Sequence, residues 1–157
     1  MSKEKLQDAV QPILDHLNRC DLSSEQLQSD LCQTFPIASL SHIRQLVEKG
    51  IQDGWFAPRE GKNLTYGRLI KPSEKSYGFS VETVDMTDTG PGHTHPHGEI
   101  DLCFTLDGTP SFDGNPEGWT CYPPNSWHIP TVSNGRMGIL YFLPQGSIRF
   151  EKKPQEA

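Results

Sequence analysis

Hydrophobic positions follow two different periods along this chain, and the change falls near residue 57. In the first stretch Leu6, Val10, Ile13, Leu14 and Leu17 recur at i, i+4, i+7, i+8 and i+11, one stripe along a helix. Pro12 interrupts that stripe, so the helix is expected to bend or to start late, because proline lacks an N–H and crowds the preceding turn. "SSEQ" (Ser23–Gln26) has the capping-box pattern and predicts a second helix through about Cys32. "FPIASLSHIRQLVEKGIQDGWF" predicts a third, with Ile43, Leu46, Val47 and Ile51 on one side and Gly54 near its end.

From Leu64 the apolar runs shorten to strand length: "YGFSVETVDM", "EIDLCFTLDG", "GWTCYPP", "SWHIPTV" and "MGILYFLP". Turn signals separate them at "DGTP", "GNPEG" and "SNGR". Many short strands at close spacing predict a sandwich or barrel, and a jelly roll is the natural small version. The expected architecture is therefore mostly β: a helical N-terminal segment over residues 1–56, then a β-barrel domain over 57–157. The "EKKPQEA" tail is expected to fray.

Charge narrows the partners. The 157 residues carry a formal charge of −6, and the isoelectric point is about 5.4. Three short helices before a strand could form a winged helix-turn-helix. In the helical segment, however, Lys3, Lys5, Arg19, Arg44 and Lys49 face Glu4, Asp8, Asp15, Asp21, Glu25, Asp30, Glu48 and Asp53. A DNA reader needs a basic face to displace counterions from phosphates, so no nucleic-acid partner is expected. Packing against the β part or another subunit is the preferred role of these helices. No apolar run approaches the roughly 20 residues that span a bilayer. "MSKEKLQDAV" has no signal-peptide core. The expected location is cytoplasmic, without a membrane partner. Cys20, Cys32, Cys103 and Cys121 form no CxxC pair, and in a reducing compartment they read as buried small residues. Cys103 and Cys121 could be neighbours on adjacent strands. Exposed edge strands of small barrels often pair, so a homodimer is expected.

The candidate chemistry lies in "GPGHTHPHGEIDL", residues 90–102. His93, His95, His97, Glu99 and Asp101 stand at every second position and would share one face of a fully extended strand. Pro96 and Gly98 occupy the other parity and could bend the strand enough to turn some of the five away. A solvated polar edge strand, a metal-free acid/base cluster and a metal site are the three readings of this pattern. Close ionisable groups on an inner face need neutralising by hydrogen bonds or a cation, which favours the metal. "YPPNSWHIP" supplies a further ligand: Asn125 can take the left-handed conformation in the turn, and the next strand carries His128. Three imidazoles and one carboxylate suit Fe(II), Mn(II), Ni(II), Co(II) or Zn(II), with positions left open for substrate or water.

H-x-H-x3-E followed by P-x-N-x2-H resembles the two metal motifs of the cupin superfamily, with Asn125 where glycine is usual. The spacing from Glu99 to Gly108 is longer than usual in that superfamily. By that resemblance His93, His95, Glu99 and His128 are the metal ligands inside a cupin barrel. More narrowly, "HTHPHGEIDL", "GWTCYPPNSWHIP" and "ILYFLPQGSIRF", after a helical segment, resemble the small bacterial 4-hydroxylaminobenzoate lyase family of nitroarene degradation. The resemblance implies conversion of 4-hydroxylaminobenzoate to 3,4-dihydroxybenzoate with release of ammonia. In that chemistry Glu99 serves the metal, and Asp101, or His97 in its charged form, is the nearest proton donor. An aromatic carboxylate also needs an apolar slot and a cationic anchor. Trp119, Trp127, Tyr122, Phe104 and Phe142 are candidates for the slot, with Trp127 and Tyr122 favoured. Arg68, Lys71 and Arg136 are candidates for the anchor, with Arg68 favoured. The alternatives are a metal-dependent cupin dioxygenase or isomerase on another small aromatic acid, and a non-catalytic cupin that binds a small ligand. Oxygen uptake separates a dioxygenase from the lyase.

Overall fold

A computed structural model describes residues 1–154, so the last three residues of the tail expected to fray lie outside the described residues. Four α-helices come first: α1 (Ser2–Ala9), α2 (Gln11–Leu17), α3 (Leu27–Thr34) and α4 (Ser41–Asp53), the last entered through a 3-10 turn at Ile37–Leu40. Pro12 sits in the first turn of α2, where its missing N–H costs nothing, so the break falls at Val10. The apolar stripe crosses that break intact: Leu6, Val10, Ile13, Leu14 and Leu17 are all buried.

The capping box at Ser23 does not form. Asp21 Oδ1 instead accepts from the Ser23 backbone N–H at 3.0 Å, and Ser24 Oγ accepts from the Gln26 N–H at 3.1 Å. These local turns use the side chains that would have capped a helix, and α3 starts only at Leu27. Gly54, at φ 85°, closes α4 as expected.

Among the described residues nine strands follow: β1 (Arg59–Gly61), β2 (Leu64–Ile70), β3 (Phe79–Met86), β4 (His93–His95), β5 (Glu99–Phe112), β6 (Gly118–Tyr122), β7 (Ser126–His128), β8 (Val132–Pro144) and β9 (Arg149–Phe150). A six-stranded sheet in the order β1-β2-β3-β8-β5-β6 faces a three-stranded sheet in the order β7-β4-β9. Every pairing is antiparallel, and the chain is a mostly β jelly-roll barrel behind a helical N-terminal segment.

Two expected turns are not turns. "DGTP" lies within β5 and "SNGR" within β8, where the register shifts between Thr105 and Asp107 and again between Gly108 and Ser111. Gly108 (φ 74°) and Asn134 (φ 63°) supply the left-handed backbone that such bulges need. Turn chemistry here bends a long strand pair rather than ending it.

The helices cover one face of the large sheet. Their apolar stripes share a core with Leu69, Phe79, Val81, Ile100, Leu102, Phe104, Trp119, Leu140 and Phe142. Phe104, Phe142 and Trp119 are thus committed to the helix-facing core, not to a substrate slot. Arg44 lies 5.1 Å over the Phe104 ring and reaches Glu117 at 2.6 Å, so this cation of α4 ties the helix to the sheet. The other sheet face forms the barrel interior, with Val84, Met86, Cys103, Phe112, Ile139 and Tyr141. Cys103 and Cys121 belong to opposite faces: Cys103 pairs with Gly118, and Cys121 pairs with helix-facing Ile100. Their side chains therefore do not meet, and all four cysteines are free. No helix among the described residues is long and apolar enough to cross a membrane.

Candidate metal centre

The five alternating ionisable residues divide at a turn. The chain leaves β4 after His95, turns through Pro96 and His97, and re-enters the large sheet at Glu99. Gly98 makes the turn with φ 97°, a conformation that L side chains avoid. His97 is left exposed, away from the cluster, which corrects the expectation of a single face shared by all five. Antiparallel pairing of β4 with β7 sets His93 directly opposite His128, and His95 opposite Ser126. Asn125 holds the preceding turn at φ 65°, the left-handed conformation expected of it, and its N–H donates to the His95 carbonyl at 2.7 Å.

One ligand atom from each of His93, His95, Glu99 and His128 lies within 4.8 Å of every other. Glu99 comes from the large sheet and the imidazoles from the small one, so the cluster spans the barrel interior. His93, His95 and Glu99 are buried and His128 nearly so.

The hydrogen bonds outside the cluster fix the ring tautomers. His93 Nδ1 meets the Pro91 carbonyl at 3.1 Å, and a carbonyl can only accept. His95 Nδ1 meets Ser126 Oγ at 2.8 Å, and that hydroxyl spends its proton on the Pro123 carbonyl at 2.6 Å. His128 Nδ1 meets Asp113 Oδ2 at 2.6 Å. Each ring thus carries its outer proton on Nδ1 and turns Nε2 inward. The Nε2 atoms of His93 and His128 stand 3.1 Å apart, and His93 Nε2 lies 3.1 Å from Glu99 Oε1. His95 Nε2 and Glu99 Oε2 are 3.4 Å apart but make no hydrogen bond, and both are buried without a partner. Converging lone pairs around a buried carboxylate need a positive charge among them. The set of three imidazoles and a carboxylate, held by outer hydrogen bonds, fits a divalent transition metal.

Without an ion, a proton on His128 supplies positive charge among these groups. Burial alone would raise the Glu99 carboxyl, yet in the ion-free protein the His128, His93 and His95 rings around it hold it well below the usual carboxylate range. Burial and the Glu99 charge push Asp101 well above its ordinary value. Burial works against a charged His128, but Asp113 and Glu99 outweigh it and raise its pKa to about 9.

A cavity of about 370 Å³ opens between the sheets and reaches His93. Leu64, Val84, Tyr141, Leu143 and Phe150 line it, and Lys62 lies on its wall. The expected anchor Arg68 lies elsewhere: it is exposed, and its Nε donates to both Glu82 oxygens at 2.8 and 3.0 Å. Arg136 is likewise paired, with Asp85, and Lys71 lies in the groove between the helices and β2. Trp127 has the outward parity of β7, and its Nε1 donates to the Glu151 carbonyl at 3.0 Å. Tyr122 does border the cluster, its ring stacked on His95 at 5.1 Å, but its hydroxyl is spent on Asp113. Asp113 itself escaped sequence reasoning, because "DGN" after an apolar run reads as turn chemistry and nothing more.

A jelly-roll barrel with three imidazoles and a glutamate converging on its interior defines a cupin-type protein. Comparison with known proteins gives the narrower grouping. The family model described as 4-hydroxylaminobenzoate lyase (PnbB) matches residues 8–150. A 4-hydroxylaminobenzoate lyase of Nocardioides sp. is 32% identical over 165 aligned residues, 96% of this chain and 96% of that protein. A 4-hydroxylaminobenzoate lyase of Pseudomonas putida is 32% identical over 133 residues, 72% of this chain and 74% of that protein. Among solved structures the chain is similar to an RmlC-like cupin protein of Ralstonia eutropha, with a TM-score of 0.46 and 10% identity, covering 63% of this chain and 67% of that one. The chain belongs to the 4-hydroxylaminobenzoate lyase family.

Proposed function

We propose that this enzyme converts 4-hydroxylaminobenzoate and one water to 3,4-dihydroxybenzoate and ammonia, at a divalent metal held by His93, His95, Glu99 and His128. The observation that carries the reading is the convergence of three Nε2 atoms on one buried carboxylate beside a mostly apolar cavity. The reaction needs no external oxidant: cleavage of the N–O bond reduces nitrogen while the ring carbon that gains oxygen is oxidised. A bound divalent ion would supply Lewis acidity, polarising the hydroxylamino oxygen or an incoming water.

The chain's own residues account for the rest. Asp101, buried beside Glu99 with its carboxyl pushed above the ordinary range, suits delivery of a proton to the departing oxygen. The apolar walls at Leu64, Val84, Leu143 and Phe150 receive the ring and exclude bulk water. Lys62, on the cavity wall, is better placed than ion-paired Arg68 to meet the substrate carboxylate. The substrate is a small aromatic carboxylate, and a second copy of the chain is the expected partner at an exposed strand edge.

The test is incubation of the purified protein with 4-hydroxylaminobenzoate while ammonia, 3,4-dihydroxybenzoate and dissolved oxygen are followed together. Equal amounts of the two products without oxygen uptake are expected. Oxygen consumption in step with product would replace the lyase with a dioxygenase.

A further inference from the structure

We propose that Asp113 is the positioning residue that makes His128 a metal ligand, an inference that rests on the metal reading above. His128 is the remote member of the cluster. It arrives on a three-residue strand, and its side chain keeps 10% exposure where those of His95 and Glu99 keep none. It is also the one imidazole of the three whose outer nitrogen meets a carboxylate; His93 has a carbonyl and His95 a hydroxyl.

Asp113 is held for that contact from several sides. It follows directly on β5 with a left-handed backbone, φ 49°, a conformation that aspartate tolerates better than most residues. Its N–H donates to the Thr131 carbonyl at 2.9 Å, and its Oδ1 accepts from the Thr131 N–H at 2.8 Å. This reciprocal pair clamps the turn after β5 to the segment leaving β7. Oδ2 is then free to accept from His128 Nδ1 at 2.6 Å and from the Tyr122 hydroxyl. The Tyr122 ring lies 4.1 Å from His128 and 5.1 Å from His95, centroid to centroid. One carboxylate therefore fixes both the ring that binds and the ring that supports it.

The chemical consequence is specific. A carboxylate oxygen accepts and the ring N–H donates, so the proton in this contact sits on His128 Nδ1. Nε2 is then the atom offered to the metal, and the negative partner strengthens it as a ligand. Removing Asp113 leaves an imidazole free to rotate and to place its proton on the wrong nitrogen.

Titration of the chelator-stripped full-length protein with Co(II), read by its visible absorption bands and by competition with a chromophoric chelator, tests this. Asp113→Ala should bind Co(II) about 10–100-fold more weakly than the wild type, with altered bands and an unchanged far-ultraviolet circular dichroism spectrum. Asp113→Asn, which keeps an acceptor oxygen but not the charge, should fall between the two. If Asp113→Ala does not fold, Asp113→Asn decides alone, weaker binding supporting the role. Wild-type affinity and bands in the folded variants would overturn it while leaving the metal reading intact. Absence of Co(II) binding by the wild type would instead remove the metal reading, and the role of Asp113 with it.

Discussion

The two faces of β5 carry opposite chemistries at the same depth. Glu99, Ile100, Asp101, Leu102, Cys103 and Phe104 are all 0% exposed. The even members pack against the helices, and the odd members enter the barrel. Burial alone thus says nothing about role: Ile100, Leu102 and Phe104 are satisfied by apolar contact, whereas Glu99 and Asp101 retain oxygens with no partner. One face stores folding energy. The other holds uncompensated polarity that only a bound ion or a proton relieves.

Substitutions on the two faces should produce opposite kinds of loss. Glu99→Ala should lower turnover of 4-hydroxylaminobenzoate by about 10²–10³-fold or more and abolish retention of metal, while the metal-free protein still melts cooperatively as a folded chain. Initial-rate assays, elemental analysis and thermal melts on the same preparation read all three. Leu102→Ala, on the next residue but two and the other face, should do the reverse. It should cost about 2–5 kcal/mol of stability in urea titration, with kcat per folded molecule close to wild type.

The third effect is smaller and depends on pH. The folded pKa of His128 is raised to about 9 from an ordinary 6.5, so its contribution to metal-free stability is complete below pH 6.5 and is lost as pH rises through 9. Metal at Nε2 takes the place of that proton. Melting temperatures of the stripped protein should therefore fall across this window, and those of the metal-loaded protein should not. Parallel curves would contradict the assignment of His128.

The smallest effect belongs to the helix-facing side. Burial raises Glu117, but the Thr105 N–H and Arg44 outweigh it and hold its carboxyl below the usual range. That stability is present above the ordinary carboxylate pKa and is lost as pH falls through the depressed folded value. Glu117→Gln should flatten the acid limb of the stability curve by less than about 1 kcal/mol, measured by urea titration between neutral and acid pH.

How far the molecule was legible in the sequence also divides by face. The helical stripe from Leu6 to Leu17 was readable because a 3.6-residue period survives even the break at Val10. The clustering of His93, His95, Glu99 and His128 was readable because short-range spacing and strand parity both survive folding. His97 was misplaced because a period of two holds only while the chain stays extended, and Gly98 ends that. The capping box failed because Ser23 and Ser24 had turn partners as near as any helix N–H. "DGTP" and "SNGR" were read as turns because bulges and turns draw on the same left-handed residues. Arg68 and Asp113 were beyond reach for a common reason: their roles depend on Glu82 and His128, brought beside them only by the tertiary fold.

The central claim is that the inner face of β5 and the small sheet together hold a catalytic divalent ion. The most direct measurement is ammonia release from 4-hydroxylaminobenzoate by one preparation assayed as purified, after dialysis against a strong chelator, and after addition of divalent metal. Activity that vanishes with the metal and returns with it is the result expected. Undiminished ammonia release from protein shown by elemental analysis to be free of metal would contradict the claim.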